Sequence, residues 1–145
     1  IDGEAELLEG FEFNISGKLG TTLYAPFTGT IDRVAGTLTA NIPAFVPINM
    51  LAAPGGATHF KIVSAGAEVD FENETFVMDA QATAVLPWCA TATAVINLAN
   101  AVTPNSTHPL FLALGIEFYQ EVNGQMYPLK NGAFNPLSLV KVSGL

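Results

Sequence analysis

At 145 residues with a single cysteine, Cys89, the chain is long enough to bury a full core. It has no means of forming an internal disulfide or a cysteine-based metal site. Half of the residues are apolar and 12% are charged, against a usual charged share of roughly 25%. The net charge of −8 sets 13 acids against five bases scattered in sequence (Lys18, Arg33, Lys61, Lys130, Lys141), which argues against nucleic acid and against an anionic membrane surface as partners.

Taken in order, the chain opens on an acidic lead-in, residues 1–9, in which "EAELLE" reads as a short helix. The start at Ile1, with no Met and no signal peptide, reads as the product of processing or as a boundary with an upstream segment. Residues 10–19, "GFEFNISGKL", alternate Phe11, Phe13 and Ile15 against Glu12, Asn14 and Ser16, and predict a strand. "TTLYAPFTGTID" follows, with Pro26 marking a break or an edge position. "GTLTANIPAF" sets Leu38, Ala40 and Ile42 against Thr37, Thr39 and Asn41. "FVPINMLAA" allows one helical turn before the Pro54-Gly55-Gly56 break.

The second half is richer in β-branched residues. "THFKIVSAGAEVDF", "ETFVMDAQATAVL", "ATATAVINL" and "LFLALGIEFYQEV" each predict a strand. Asn123-Gly124 and Asn131-Gly132 separate the last runs, "QMYPL" and "LSLVKV", and both read as type I′ hairpin turns. Two segments echo each other: "IDRVAGTL" and "VDFENETF" place Asp32 and Asp70 where a carboxylate holds a tight turn before a Thr restarts the strand. In total, eight to ten strands with turns every 8–14 residues predict one all-β domain over 10–145. The expected architecture is an antiparallel β-sandwich of jelly-roll or immunoglobulin-like type.

Two stretches, Val34–Phe60 and Ala80–Ile116, contain no Asp, Glu, Lys or Arg. Neither reads as a membrane span, because prolines and asparagines interrupt them and the longest purely apolar run, Leu110–Ile116, has only strand length. They are expected to supply inner-face strands and a neutral outer face.

No reaction is announced. The acidic turn Asp70, Glu72, Asn73, Glu74 with Asp79 lacks the spacing and the glycine of an EF-hand and reads as a solvated hairpin tip; whether it takes up Ca²⁺ stays open. His59 and His108 have no metal-ligand spacing, and "IVSAG" is not a nucleophile elbow. The glycines of "APGGATHF" precede a strand, not the helix that a phosphate loop needs. Cys89, beside Trp88, reads as an inert thiol. Asn14, Asn73 and Asn105 open glycosylation triplets that matter only in a eukaryotic secretory cell. Trp88, Tyr24, Tyr119 and Tyr127 are candidates for a sugar-binding face, set against a packing role. No catalytic residue, metal ligand or cofactor is assigned, and any ligand-binding residues stay unknown.

The segments "GFEFN", "APFTGTIDR", "IPAFVPIN", "THFKI" and "NGAFN" resemble those of uncharacterised β-rich proteins from Bacteroidota, from Glu6 onward. In those proteins the β-rich portion follows a variable polar N-terminal part. The resemblance implies a bacterial origin and brings no activity, cofactor or catalytic residue. The expectation is a non-enzymatic domain that self-associates or docks onto another protein, at an extracytoplasmic or cell-surface location. The alternative is a carbohydrate-binding module.

Overall fold

The computed structural model describes residues 2–144 and shows an all-β sandwich. Nine strands run β1 (Thr28–Asp32), β2 (Thr37–Ile42), β3 (His59–Asp70), β4 (Thr75–Ala82), β5 (Leu86–Pro87), β6 (Ile96–Ala101), β7 (Leu110–Val122), β8 (Gln125–Pro128) and β9 (Leu137–Ser143). A three-stranded sheet, β1-β2-β6, packs on a larger one built on the antiparallel pair β3–β7. β4 and β5 share the free flank of β3, and β8 and β9 share that of β7. The only α-helix among the described residues is a single turn, α1 (Pro47–Met50), so no helix there is long and apolar enough to cross a membrane.

The core follows from strand alternation. β3 and β7 pair from His59↔Tyr119 to Glu68↔Leu110, which puts Phe60, Ile62 and Ser64 on the inner face opposite Phe118, Ile116 and Leu114. From β2, Leu38, Ala40 and Ile42 point inward to meet them, as the alternation predicts. β9 carries a bulge opposite Leu112/Ala113, which lets Val140 pack toward the core while Leu139 and Val142 face outward. β1 runs beside β9: a Cβ on Gly29 would lie 3.2 Å from Lys141 Cβ, so the small residue allows the sheets to close along that edge.

The expected turns form at three places. Asp32 Oδ1 accepts from the Ala35 amide, and Asp70 Oδ1 from the amides of Glu72 and Asn73. Each closes a four-residue loop whose last residue, Gly36 or Glu74, has positive φ. Asn123 and Gly124 also have positive φ, at 53° and 80°, as a type I′ turn requires.

Three expectations fail. Residues 10–19 are not a strand. Gly10 and Phe13 donate to Leu139 O and Leu137 O, and then the chain turns at Asn14, whose side chain holds the Ser16 amide and the carbonyls of Ala133 and Asn135. The second Asn-Gly is no hairpin: it ends the 3-10 turn Leu129–Gly132, which carries the chain across to β9. The "ATATAVINL" run is extended only from Ile96, because Thr93 docks on Phe45 through its amide and hydroxyl.

The lead-in forms the expected short helix, a 3-10 segment over Asp2–Leu8. Two of its acids are engaged with the backbone, Glu9 Oε1 accepting from the Val142 amide and Glu6 Oε2 from that of Gly144; beyond it, Glu12 accepts from the Leu19 amide.

Candidate functional site

The outer face of the larger sheet is the most unusual surface of the molecule. Outward residues of β3, β7 and β9 (Ala65, Ala67, Phe111, Ala113, Leu139) form a second apolar cluster, which Ala5 from the lead-in joins and covers in part. The rest is open. From β4, Phe76 and Met78 stand 69% and 60% exposed, and Phe11, Phe13 and Phe71 are each about half exposed. Phe71 meets Phe111 edge-on and Phe11 meets Phe13 likewise, so these rings are held in place and not free to collapse.

Between Phe13 and Met78 lies a groove of about 300 Å³ floored by Ala65, Ala67 and Ala113, with no charged residue in its lining. Charge appears toward the other end of the face. There Lys61 lies 3.4 Å from Glu117 Oε1, and the Tyr119 hydroxyl donates to the same oxygen at 2.7 Å. The Tyr119 contact is the chief cause that raises the Lys61 pKa above its ordinary value. Burial, reinforced by the Glu117 hydrogen bond, raises that of Tyr119.

At the Asp70 end of the sandwich the inner face turns polar. Glu68 is buried and accepts from the Thr103 amide and the Ser106 hydroxyl. Burial pushes its carboxyl up, but the hydrogen bonds from Ser106 and Thr103 outweigh that and hold it below its ordinary value. Arg33 donates to Ser106 O, His108 O and both Ser143 O and Oγ, at 2.7–3.1 Å.

This cluster is not a hydrolytic triad. The Ser106 hydroxyl is buried and spent on Glu68, and it is the His108 backbone amide, not its ring, that donates to Ser106 Oγ. The His108 ring reaches Asp70 Oδ2 at 3.7 Å, while His59 sits at the opposite end of β3 on Thr58. Among the described residues no group of three or more His, Cys, Asp or Glu is placed to hold a metal. Asp70 is occupied by Asn73 and the turn amides, and Asp79 by the Ala101 amide and Gln81. Each carboxyl is held below its ordinary value by those bonds, the Asn73 side chain and the Ala101 amide being the largest causes.

The four candidate aromatics do not share a platform. Trp88 packs against the core and donates to Leu51 O; Tyr24 donates to Thr21 O; Tyr119 and Tyr127 project from opposite faces of adjoining strands. Cys89 is half-buried with only a distant contact to Thr91 O. The Pro54-Gly55-Gly56 segment is a turn, closed by the Ala57 amide on Pro54 O.

Two features escaped the sequence reading. The first is that the most exposed apolar side chains of the outer face, Phe76 and Met78, lie outside both charge-free stretches. The second is a cleft of about 500 Å³ that brings together Lys18 and Lys130, 112 positions apart in the chain.

The class that this fold defines is an all-β sandwich with a partly covered apolar outer face. In comparisons with known proteins, no family model, no curated protein and no solved structure matches the chain.

Proposed function

We propose that this chain is a non-enzymatic interaction domain, and that a second copy of itself covers the open part of its outer sheet face. The observation that carries this is the row of exposed Phe76 and Met78 beside an uncharged groove. Side chains standing proud next to a hole on the same face are self-complementary: across a two-fold axis each copy's knobs enter the other's groove. Aromatic residues and Met are also the types that concentrate in interface cores, where charge is depleted.

The area supports a dimer. Four phenylalanines about half exposed or more, together with Met78, offer on the order of 500 Å². Aliphatic neighbours add to that, against roughly 800 Å² per partner in a standard interface. A typical monomer's largest apolar patch is about 300–600 Å², so the exposed face reaches the upper part of that range from five side chains alone.

Sedimentation or light scattering of the purified chain tests the reading. Wild type is expected to dimerise in the micromolar range, with Phe76→Glu and Met78→Glu shifting it to a folded monomer, since both side chains are exposed in the single chain. A wild-type monomer at about 100 μM, where an interface worth more than roughly 6 kcal/mol would already be populated, sinks the proposal.

A further inference from the structure

We infer that the cleft between the 15–22 loop and the Leu129–Gly132 turn binds a small soluble ligand through an oxyanion, a carboxylate or a sulfate on a body the size of a sugar. The cleft shares no lining residue with the apolar groove, so this inference stands apart from self-association.

The first argument is electrostatic. The protein carries 13 acids and five bases, yet two of the five bases line this one cleft and none of the acids does. In a protein of net charge −8, two cations on one cleft are a local concentration of positive charge. The Glu12 carboxylate accepts from the Leu19 amide and does not line the cleft.

The second is construction. The two lysine-bearing segments are tied together behind the cleft, by Asn14 on Ala133 O and Asn135 O, and by Gly17, whose missing Cβ admits the Phe134 carbonyl. Lys130 is held at φ 49°, a left-handed conformation that disfavours a side chain, and its ammonium lies 5.2 Å from the Phe134 ring centre. A strained residue persists where its surroundings over-determine it, and such residues gather at ligand sites. The walls add the Ser16 hydroxyl, and those of Thr21 and Thr22, which donate to Lys18 O, over an apolar floor at Phe118 and Ala53. A volume of about 500 Å³ is that of a small-ligand pocket. Ammonium groups, hydroxyls and an aromatic edge together suit a charged sugar better than a purely apolar molecule.

The test is titration of the whole chain with glucuronate, inorganic sulfate and glucose, followed by amide chemical shifts. Glucuronate is expected to shift residues of the cleft and to bind at least about tenfold more tightly than glucose. Sulfate matching glucuronate also supports the site, with the oxyanion as its sole determinant. Lys18→Gln with Lys130→Asn, the Asn keeping a residue that tolerates positive φ, should cost about tenfold or more, while Lys141→Gln leaves binding unchanged. An unaltered spectrum outside the cleft shows that the double variant is folded; were it not, Lys18→Gln alone should still weaken binding severalfold. Glucuronate and sulfate binding no better than glucose, or binding that survives the lysine substitutions, overturns the inference.

Discussion

The side chain of Asn100 lies directly over the bare Cα of Gly66. A Cβ built on Gly66 would stand 2.8 Å from Asn100 Cβ, closer than real side chains approach. Asn100 is fully buried between the sheets and donates to Leu38 O and Ser64 Oγ, while its Oδ1 has no partner. Gly66→Ala is therefore expected to destabilise the fold by about 1–3 kcal/mol. Asn100→Ala should not rescue it, because the conflict is Cβ against Cβ. Urea denaturation of the two single variants and the double variant decides this.

The two aspartate turns differ in how well they are filled. Gly36 and Glu74 occupy equivalent places with φ of 71° and 57°. A Cβ at Gly36 would also strike Val102 O at 2.6 Å. Gly36→Ala should cost at least about 1–2 kcal/mol, whereas Glu74→Gly should gain up to about 1 kcal/mol by relieving the left-handed strain. Thermal melting should show the two midpoints moving in opposite directions.

Arg33 is a clamp with no carboxylate in it. Its guanidinium joins the first hairpin to the 106–108 loop and to Ser143 through carbonyl and hydroxyl acceptors alone. Lysine cannot reproduce that fork, so Arg33→Lys is expected to lose about 1–3 kcal/mol of stability, measured by denaturant midpoint. An unchanged midpoint would mean that the clamp is dispensable.

Acid should loosen the polar end. Glu68, Asp70 and Asp79 all titrate below their ordinary values in the fold. Carboxyls lowered in this way contribute stability that is present above their unfolded pKa, about 4, and lost as pH falls through the folded value. The urea midpoint should hold from pH 7 to 5 and fall below pH 4. Glu68→Gln should flatten that fall while lowering the midpoint at pH 7. At the alkaline end Lys61 and Tyr119, both raised, work the other way: their contribution is present below the unfolded values and is lost as pH climbs through the folded ones.

Much of the architecture was legible. Leu38, Ala40 and Ile42 declare their face because Thr and Asn fill the alternate places, and Leu110–Ile116 is apolar throughout because β7 is covered on both sides. The Asp32, Asp70 and Asn123-Gly124 turns follow from local chemistry. What misled was alternation without burial. Phe11, Phe13 and Ile15 alternate cleanly, yet Ile15 is 91% exposed, and the ladder to β9 stops when Asn14 captures the backbone.

The open apolar face was hidden for a related reason. β4 reads "TFVMDAQA", apolar on both sides of the strand, and its exposed Phe76, Val77 and Met78 give no inside or outside. The lysine cleft depends on two residues in distant loops meeting through Asn14, which no spacing rule encodes.

The backbone bonds from residues 10–13 to β9 set an order of events. Gly10 and Phe13 can donate only to carbonyls at 139 and 137, and Leu139 only then returns its amide to Phe11 O. During synthesis the opening segment must wait, unseated, until more than a hundred later residues have left the ribosome. Until β9 is in place the lead-in has no strand to pack on, and Ala5 stays outside the apolar cluster that it joins in the finished fold.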